Sequence, residues 1–407
     1  MIDRGLGSKL SDSKKIDASK LCFKLADSAN KVVAFLESKL LKDGSYEEAE
    51  DLACYFKSPM MFIAANKQET ASLVLTHIKK QFMQTNGDFK TQDNLKSVNS
   101  AYIEYWPYTN GWIVRAANQL KMQEIVKPGY QYLTQYSDSS GRFLTNPEAK
   151  MTDVLSIAHY GLINLEMDKL DVATAAGDYL CEAIDNQPEL SKGFYLRLDK
   201  NKNIITDFPE EKKAFYYVST KEPNQLHFMI GYPAAYLSLL YKKTNDSKFL
   251  NATKLYLDFS LSCDQSVYSC NFSHKIAWAA SLLYECTGEE KYLTVIDKIT
   301  NYFMENQKDG MWFSGEINTS YDQSAEIACW FLDIVKNVNS FKKNLELTKE
   351  PAQPTSNNSF TKNAIKYGVV ALVAGFGLYS YFKWGKSTTT LSEAAVDIVT
   401  KPLNSIK

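Results

Sequence analysis

The chain has 407 residues, of which 45% are hydrophobic and 13% aromatic, so it can bury a large core. Its 46 basic and 47 acidic side chains leave a net charge of -1, which excludes the basic surface that nucleic-acid binding requires. Seven cysteines, an odd number with no Cys-x-x-Cys pair, and four histidines argue against disulfides and structural zinc, and no metal or cofactor is predicted.

Two classes of predicted helix alternate along the chain. The first class is amphipathic and charged, as outer helices are, and covers residues 17–41, 68–82, 119–136, 169–186, 248–262 and 290–306. The second class is apolar nearly all round, which requires enclosure, and covers residues 48–66, 101–117, 152–166, 227–241, 274–286 and 322–338. This alternation predicts an all-α fold: an (α/α)6 toroid of six helical hairpins at residues 17–345, after a polar N-terminal segment at residues 1–16.

Repeated sequences support the hairpin architecture. The pattern from Leu239 to Leu250 recurs from Leu282 to Leu293, so one supersecondary unit is copied along the chain. A Gln, a Gly and an aromatic residue also recur in that order where outer helices end: Gln84, Gly87, Phe89; Gln135, Gly141, Phe143; Gln187, Gly193, Tyr195; Gln307, Gly310, Trp312. Such a glycine can take the left-handed conformation that ends a helix, and the aromatic side chain can fill the gap between hairpins.

Three further segments lie outside this repeat. Residues 193–220 alternate in polarity and predict a small β-hairpin insertion beside the mouth of the ring. Residues 346–363 are rich in Pro, Ser and Asn and predict a flexible linker, and residues 364–384 have the length and apolarity of a transmembrane helix, followed by a short tail at 385–407. This order predicts a single-pass, tail-anchored protein whose toroid faces the cytosol, with the mitochondrial outer or peroxisomal membrane favoured over the endoplasmic reticulum.

The expected site lies where the inner helices begin, because their positive dipole ends meet at one end of such a ring. The expected catalytic side chains are the acids and histidines at these helix starts, namely Glu104, Asp153, His227, His274 and Asp322. Substrate is expected to bind nearby aromatic side chains, namely Tyr46, Tyr105, Trp106, Trp112, Tyr232, Trp278 and Trp312. Glu104 has apolar neighbours, so we expect it to be buried without a cation and to have the raised pKa of a general acid.

The Gln-Gly-aromatic turns resemble the QW repeats of the terpenoid cyclase and protein prenyltransferase toroids. The resemblance covers roughly residues 18–340 and is most specific at Gln307, Gly310 and Trp312, although the Asp-x-Asp-Asp acid of the cyclases is missing. It implies a ring with an apolar pocket. The function expected from it is a cyclase-like enzyme of isomerase or lyase type, acting by general acid/base catalysis on an isoprenoid or lipid-like small molecule at a membrane.

Two other functions fit the same residues. A carbohydrate-active six-hairpin toroid, working as an epimerase, hydrolase or lyase through Glu104, Asp153 and Asp322, would also use acid/base groups beside stacking aromatic rings. A non-catalytic, membrane-tethered binding scaffold would need only the ring itself, because a fold does not determine a function.

Overall fold

The computed structural model describes residues 16–99, 101–146, 151–313 and 316–349, with side chains up to residue 343. Outer and inner helices alternate through these ranges. The outer helices are α1 (Ala18–Ser38), α3 (Gln68–Phe82), α6 (Gln123–Thr134), α8 (Leu170–Asp185), α10 (Ser247–Ser262) and α12 (Glu290–Glu305). The inner helices are α2 (Ser58–Ala64), α4 (Ala101–Glu104) with α5 (Tyr108–Gln119), α7 (Val154–Glu166), α9 (Phe228–Thr244), α11 (His274–Thr287) and α13 (Ile317–Lys349).

The hairpins form a closed ring. Neighbouring inner helices pack against one another from α2 through α5, α7, α9 and α11, and the last hairpin returns to the first. After α12, the side-chain amide of Gln307 accepts a hydrogen bond from the Ser28 hydroxyl (2.7 Å) and donates one to the Ser28 carbonyl (2.9 Å). The ring of Phe35 in α1 also meets that of Tyr321 in α13 edge-on, at 6.2 Å between centroids. The predicted toroid of six helical hairpins is confirmed.

The turns that follow α1, α3, α6 and α12 share one conformation. Their glycines have positive φ angles, and these residues are Gly44, Gly87, Gly141 and Gly310. Each glycine lies against the backbone of the next outer helix in the ring; a Cβ atom on Gly87 would be only 2.1 Å from the carbonyl oxygen of Pro128 in α6. The aromatic residues that follow are all buried, namely Tyr46, Phe89, Phe143 and Trp312. These turns therefore set the spacing between neighbouring hairpins.

Short strands occupy the predicted insertion, but their pairing differs from a single β-hairpin. β2 (Gly193–Tyr195) pairs antiparallel with β4 (Tyr217–Ser219), whereas β3 (Arg197–Leu198) pairs with β1 (Thr152–Asp153), which directly precedes α7. The expected return strand is reduced to one isolated bridge between Ile204 and Leu198. Leu198 pairs with Thr152 on one side and with Ile204 on the other, so β1 attaches the insertion to the start of an inner helix.

Three inner helices have other boundaries than predicted. The first, expected over residues 48–66, is reduced to Ser58–Ala64, after a single 3-10 turn at Leu52–Cys54. Pro107 has no backbone N–H to donate, and the second inner helix is divided there into the single turn α4 and the longer α5. The last inner helix runs to Lys349, so helix continues into the start of the predicted linker at residues 346–363.

The remaining predicted segments lie outside the described residues, apart from Ile16 and the first residues of the linker. They are the N-terminal segment at residues 1–16, the transmembrane helix at 364–384 and the tail at 385–407. Among the helices that the structure does describe, none has both the length and the apolarity needed to cross a bilayer.

Candidate active site

Five ionisable side chains, here called the central cluster, lie together among the inner helices. Lys57 directly precedes α2, His274 and Lys275 begin α11, and Asp322 and Glu326 lie in the first three turns of α13. Nζ of Lys57 is 2.8 Å from Oδ1 of Asp322 and 2.5 Å from Oε2 of Glu326, and Nζ of Lys275 is 2.7 Å from Oε1 of Glu326. All five side chains are at most 3% exposed.

The positions of the two lysines are not explained by helix stability. Both stand at helix N-termini, where the positive end of the helix dipole disfavours a cation. The two carboxylates of α13 compensate that cost, so the cluster holds two cations and two anions away from water. Removing water strengthens every electrostatic interaction in the cluster, as catalytic sites require.

Burial and neighbouring charges separate the pKa values within the cluster. Burial raises the pKa of Asp322, and the opposing effect of Lys57 does not cancel it. Burial would also raise the pKa of Glu326, but Lys275 and Lys57 outweigh it and hold that pKa well below its usual value. Burial lowers the pKa of His274 despite the nearby Glu326, whose Oε1 is 3.6 Å from Nε2. At neutral pH we therefore expect Glu326 to be ionised and His274 to be neutral.

Aromatic rings enclose the cluster. Lys57 lies over the ring of Trp112 at 5.9 Å, and Lys275 lies over that of Tyr232 at 5.3 Å. Trp330 donates its indole N–H to Oε1 of Glu326 (3.2 Å) and stacks on Trp278, with the ring centroids 3.9 Å apart. Three of the predicted substrate-binding residues, Trp112, Tyr232 and Trp278, are thus placed around the cluster.

Hydroxyl groups and a second histidine extend the polar centre. Tyr102 of α4 donates to Oδ2 of Asp322 (2.8 Å), and Lys275 donates to the hydroxyl of Tyr108 (3.4 Å). His159 lies between the backbone carbonyl of Tyr108 (3.1 Å) and the hydroxyl of Tyr232 (2.8 Å). Burial lowers the pKa of His159 well below its usual value, so the ring is neutral. A carbonyl can only accept, so Nε2 carries the proton and Tyr232 donates to Nδ1.

Glu104 is neither fully buried nor unpaired, so that expectation was wrong. Its side chain is 23% exposed and pairs with a cation, since its Oε1 is 2.6 Å from Nη2 of Arg197. The expectation of a buried, unpaired carboxyl failed because Arg197 comes from the insertion, more than 90 positions later in the chain. Asp153 lies beside the same arginine as the N-cap of α7, where its Oδ1 accepts from the backbone N–H of Ser156 (2.6 Å).

The other predicted residues have separate positions. His227 is the buried residue that precedes α9, and burial lowers its pKa to about 4. Tyr105 is buried next to Arg197 and Asp153. The remaining three aromatics belong to contacts between elements: Tyr46 stacks on Tyr55, Trp106 donates to Asp88, and Trp312 donates to the carbonyl of Phe303. The structure therefore joins His274 with Asp322, and Glu104 with Asp153, in two distinct groups.

Sequence reasoning missed both lysines of the central cluster. Lys57 is a single charge in the apolar run from Ala53 to Phe62, and Lys275 has the same character in α11. A lone lysine in an enclosed helix must find a counter-charge, and that signal was available in the sequence. Within the described ranges, no three His, Cys, Asp or Glu side chains are arranged so that they could hold a metal ion.

No family model and no curated protein sequence matches the chain. Solved structures match most of it at low sequence identity. One is a D-mannose isomerase, with a TM-score of 0.58 and 14% identity, and the match covers 80% of this chain and 99% of that one. Another is a cellobiose 2-epimerase from Bacillus thermoamylovorans, with a TM-score of 0.55 and 10% identity, and the match covers 77% of this chain and 99% of that one. A family 76 α-mannanase from Bacteroides thetaiotaomicron also matches, with a TM-score of 0.54 and 12% identity, and the match covers 81% of this chain and 100% of that one. At such identities the similarity shows the toroid fold alone.

These matches overturn the terpenoid-cyclase assignment. The structures that the chain resembles are described as enzymes of carbohydrates, so the expected cyclase function and the expected isoprenoid or lipid-like substrate were wrong. The expected membrane partner gains no support from the described helices either. The Gln-Gly-aromatic turns were misleading because they fix the spacing of hairpins, which any such ring needs, and they do not specify what its centre binds. The centre of this ring contains the ion pairs of the central cluster.

Proposed function

We propose that the protein is an enzyme that isomerises or epimerises a sugar by proton transfer, with the central cluster as its active site. One observation carries the proposal: two lysines, two carboxylates and a histidine, each at most 3% exposed, lie together at the starts of the inner helices. The fold supports it, since a D-mannose isomerase and a cellobiose 2-epimerase are among the structures that the chain resembles.

The cluster supplies the groups that such a reaction needs. Moving a proton on the carbon next to a sugar carbonyl requires a base for that proton and a positive charge for the developing oxyanion. His274 is neutral and can act as the base, while the ammonium group of Lys275 can stabilise the oxyanion. Asp322 has a positioning role, because it pairs with Lys57 at 2.8 Å and accepts a hydrogen bond from Tyr102. Glu326 has a positioning role, because it holds both lysines.

Isomerisation fits the cluster better than glycoside hydrolysis. A hydrolase of the common type needs one carboxylic acid to protonate the leaving group and a second carboxylate that is free to act as nucleophile or base. Here Lys57 binds both carboxylates of the cluster, at 2.8 Å and 2.5 Å. Neither carboxylate is free for that role, whereas proton transfer through His274 leaves the ion pairs in place.

Hydrogen exchange tests this function directly. The protein is incubated in deuterium oxide with D-mannose, D-fructose, D-glucose or cellobiose, and loss of the C1 or C2 proton signal is followed by NMR together with the appearance of a new sugar. We expect exchange with at least one sugar and a loss of at least about 100-fold in His274→Gln, the usual contribution of a general base. His77→Gln is the matched control, because His77 is a half-buried histidine outside the cluster, with its ring 5.0 Å from that of Tyr55.

Two results would reject the proposal. One is a wild-type protein that exchanges no proton of any sugar tested. The other is a folded His274→Gln variant that exchanges as fast as the control, which would leave the cluster with the structural role of closing the ring.

A further inference from the structure

A cavity of about 230 Å³ lies on the face of the ring where the inner helices begin. It is formed by the end of α12, the segment that precedes α11 and the segment that precedes α13. Four polar side chains and two aromatic rings of its lining are Asn271, Tyr302, Asn306, Lys308, Phe303 and Phe313. Pockets for drug-sized ligands measure about 300–1,000 Å³, so this cavity has room for a single small ring.

Two asparagine side chains of the lining are held in place and keep bonding capacity for a ligand. The phenol of Tyr302 donates to Oδ1 of Asn271 (2.9 Å), and Nδ2 of Asn306 donates to the backbone carbonyl of Tyr302 (2.7 Å). Nδ2 of Asn271 and Oδ1 of Asn306 have no hydrogen-bond partner among the described residues. One donor and one acceptor are therefore available, and a hydroxyl group can bind to either, because it both donates and accepts.

Phe313 gives the cavity a half-buried aromatic ring on a strained backbone. Its φ angle is +57°, in the left-handed region that bulky residues rarely adopt. Such a conformation costs energy and is found most often where a side chain serves a ligand or a catalytic site. An aromatic ring at the edge of a polar cavity suits the apolar C–H face of a sugar ring.

Two residues of the lining also contact His274. The backbone carbonyl of Asn271 is 3.4 Å from Nδ1 of His274, and the ring of Phe303 meets the imidazole edge-on, at 6.1 Å between centroids. Because a carbonyl only accepts, Nδ1 carries the proton of the neutral imidazole and Nε2 is its basic atom. A ligand in the cavity would thus lie beside the backbone and the ring that position His274.

The charge of the lining favours a neutral ligand. Lys308 is the one charged side chain that the described residues contribute to it, and Lys308 is exposed. An ion pair with an exposed ammonium group contributes little to binding. Recognition therefore depends on the two amides and on the aromatic ring, which suit hydroxyl groups and C–H groups better than a carboxylate or a phosphate.

We propose that this cavity binds one neutral sugar residue, with Asn271 and Asn306 on its hydroxyl groups and Phe313 against its C–H face. The class of ligand rests on the proposed function. The site itself is separate from the central cluster, so it also binds sugars that cannot react there.

Methyl glycosides test the site apart from the reaction, because they have no free carbonyl group next to which a proton could be transferred. Methyl α-D-mannopyranoside, methyl β-D-glucopyranoside and methyl β-D-glucuronide are titrated calorimetrically into the full-length protein at constant ionic strength. We expect at least one neutral glycoside to bind at least tenfold more tightly than the glucuronide. Equal or tighter binding of the glucuronide would overturn the inference, and so would an absence of binding by both neutral glycosides.

Two variants assign the binding to this cavity. Phe313→Gly removes the ring, and glycine adopts the same positive φ angle without strain. Asn271→Ala removes the exposed amide but keeps the backbone carbonyl that faces His274. We expect glycoside binding to weaken about tenfold in Phe313→Gly and at least about threefold in Asn271→Ala. Asn251→Ala, which alters an exposed asparagine of α10 outside the cavity, should leave binding unchanged. Folded variants that bind as tightly as wild type would show that the glycoside binds elsewhere and would overturn the inference.

Failure of this inference can be told apart from failure of the proposed function. Glycoside binding that depends on Phe313, without hydrogen exchange in any free sugar, would reject the isomerase and leave the cavity site in place. Hydrogen exchange without glycoside binding would reject only the cavity site.

Discussion

Each of the four histidines has its pKa lowered, and in each case burial is the main cause. The histidines are His77, His159, His227 and His274. A histidine with a lowered pKa in the folded state stabilises the protein above its unfolded pKa, about 6.5, and this stability is lost as the pH falls through the folded pKa. Asp153 and Asp322, whose pKa burial raises, act with the opposite sign.

A single-residue comparison isolates one histidine from these opposing effects. When the pH falls from 7.5 to 5, we expect the titration of His227 to lower the free energy of unfolding by about 2 kcal/mol, because folding lowers the pKa of this residue from 6.5 to about 4. In His227→Asn the titrating group is absent, and asparagine is a favoured residue at the N-cap of a helix. We therefore expect the variant to lose about 2 kcal/mol less than wild type over this range in urea denaturation. An identical pH dependence would show that His227 does not titrate in this way.

At the level of elements, the glycine turns control how closely one hairpin approaches the next. Gly87 and Gly310 have nearly the same backbone conformation, with φ of +88° and +82°. Their surroundings differ: a Cβ atom would be 2.1 Å from a backbone oxygen at Gly87, but 3.2 Å from one at Gly310. The two positions therefore separate the cost of the conformation from the cost of the close approach.

Alanine at these two turns is expected to have unequal effects. Gly310→Ala should cost about 1–2 kcal/mol, the penalty of a left-handed conformation for a residue with a Cβ atom. Gly87→Ala should cost at least about 1 kcal/mol more, because the backbone of α6 at Pro128 must also move. Urea unfolding of both variants measures this difference, and equal losses would mean that the turn after α3 adapts freely.

The helices and turns could be predicted because their signals are local. Apolar periodicity identified the inner and outer helices, and the spacing of Gln307, Gly310 and Trp312 identified the turn that closes the ring. Pairing across the chain could not be predicted in this way. Nothing near Glu104 in the sequence points to Arg197, and nothing near Lys57 points to Glu326, 269 positions away. The favoured cyclase function was wrong for a similar reason, since the repeated turns describe the scaffold and not the charges at its centre, and the similar structures agree better with the carbohydrate-active alternative.

At the level of the whole molecule, the central cluster also joins the first hairpin to the last. Lys57 comes from the first inner helix, and Asp322 and Glu326 come from the sixth. Glu326 neutralises both buried lysines, so its loss would leave two ammonium groups sharing one carboxylate. Removing one partner of a buried ion pair usually costs about 3–5 kcal/mol.

Glu326→Gln is therefore expected to lower the free energy of unfolding by about 3–5 kcal/mol in urea denaturation. Glu37→Gln is the control. It removes the partner of Lys67 in an ion pair between α1 and the start of α3 that is more than one-third exposed, and should cost about 1 kcal/mol or less. A loss below about 1 kcal/mol for Glu326→Gln would show that the cluster does not hold the ring closed.

The distance along the chain between Lys57 and its two carboxylate partners has a consequence for biosynthesis. A ribosome makes Lys57 early and reaches Glu326 only 269 residues later, an interval on the order of half a minute at usual elongation rates. During that time the first five hairpins can stack, but the lysines have no counter-charge and the gap left for α13 stays open to water. Chaperones would meet an incomplete ring, and folding would be completed only after the last inner helix has emerged.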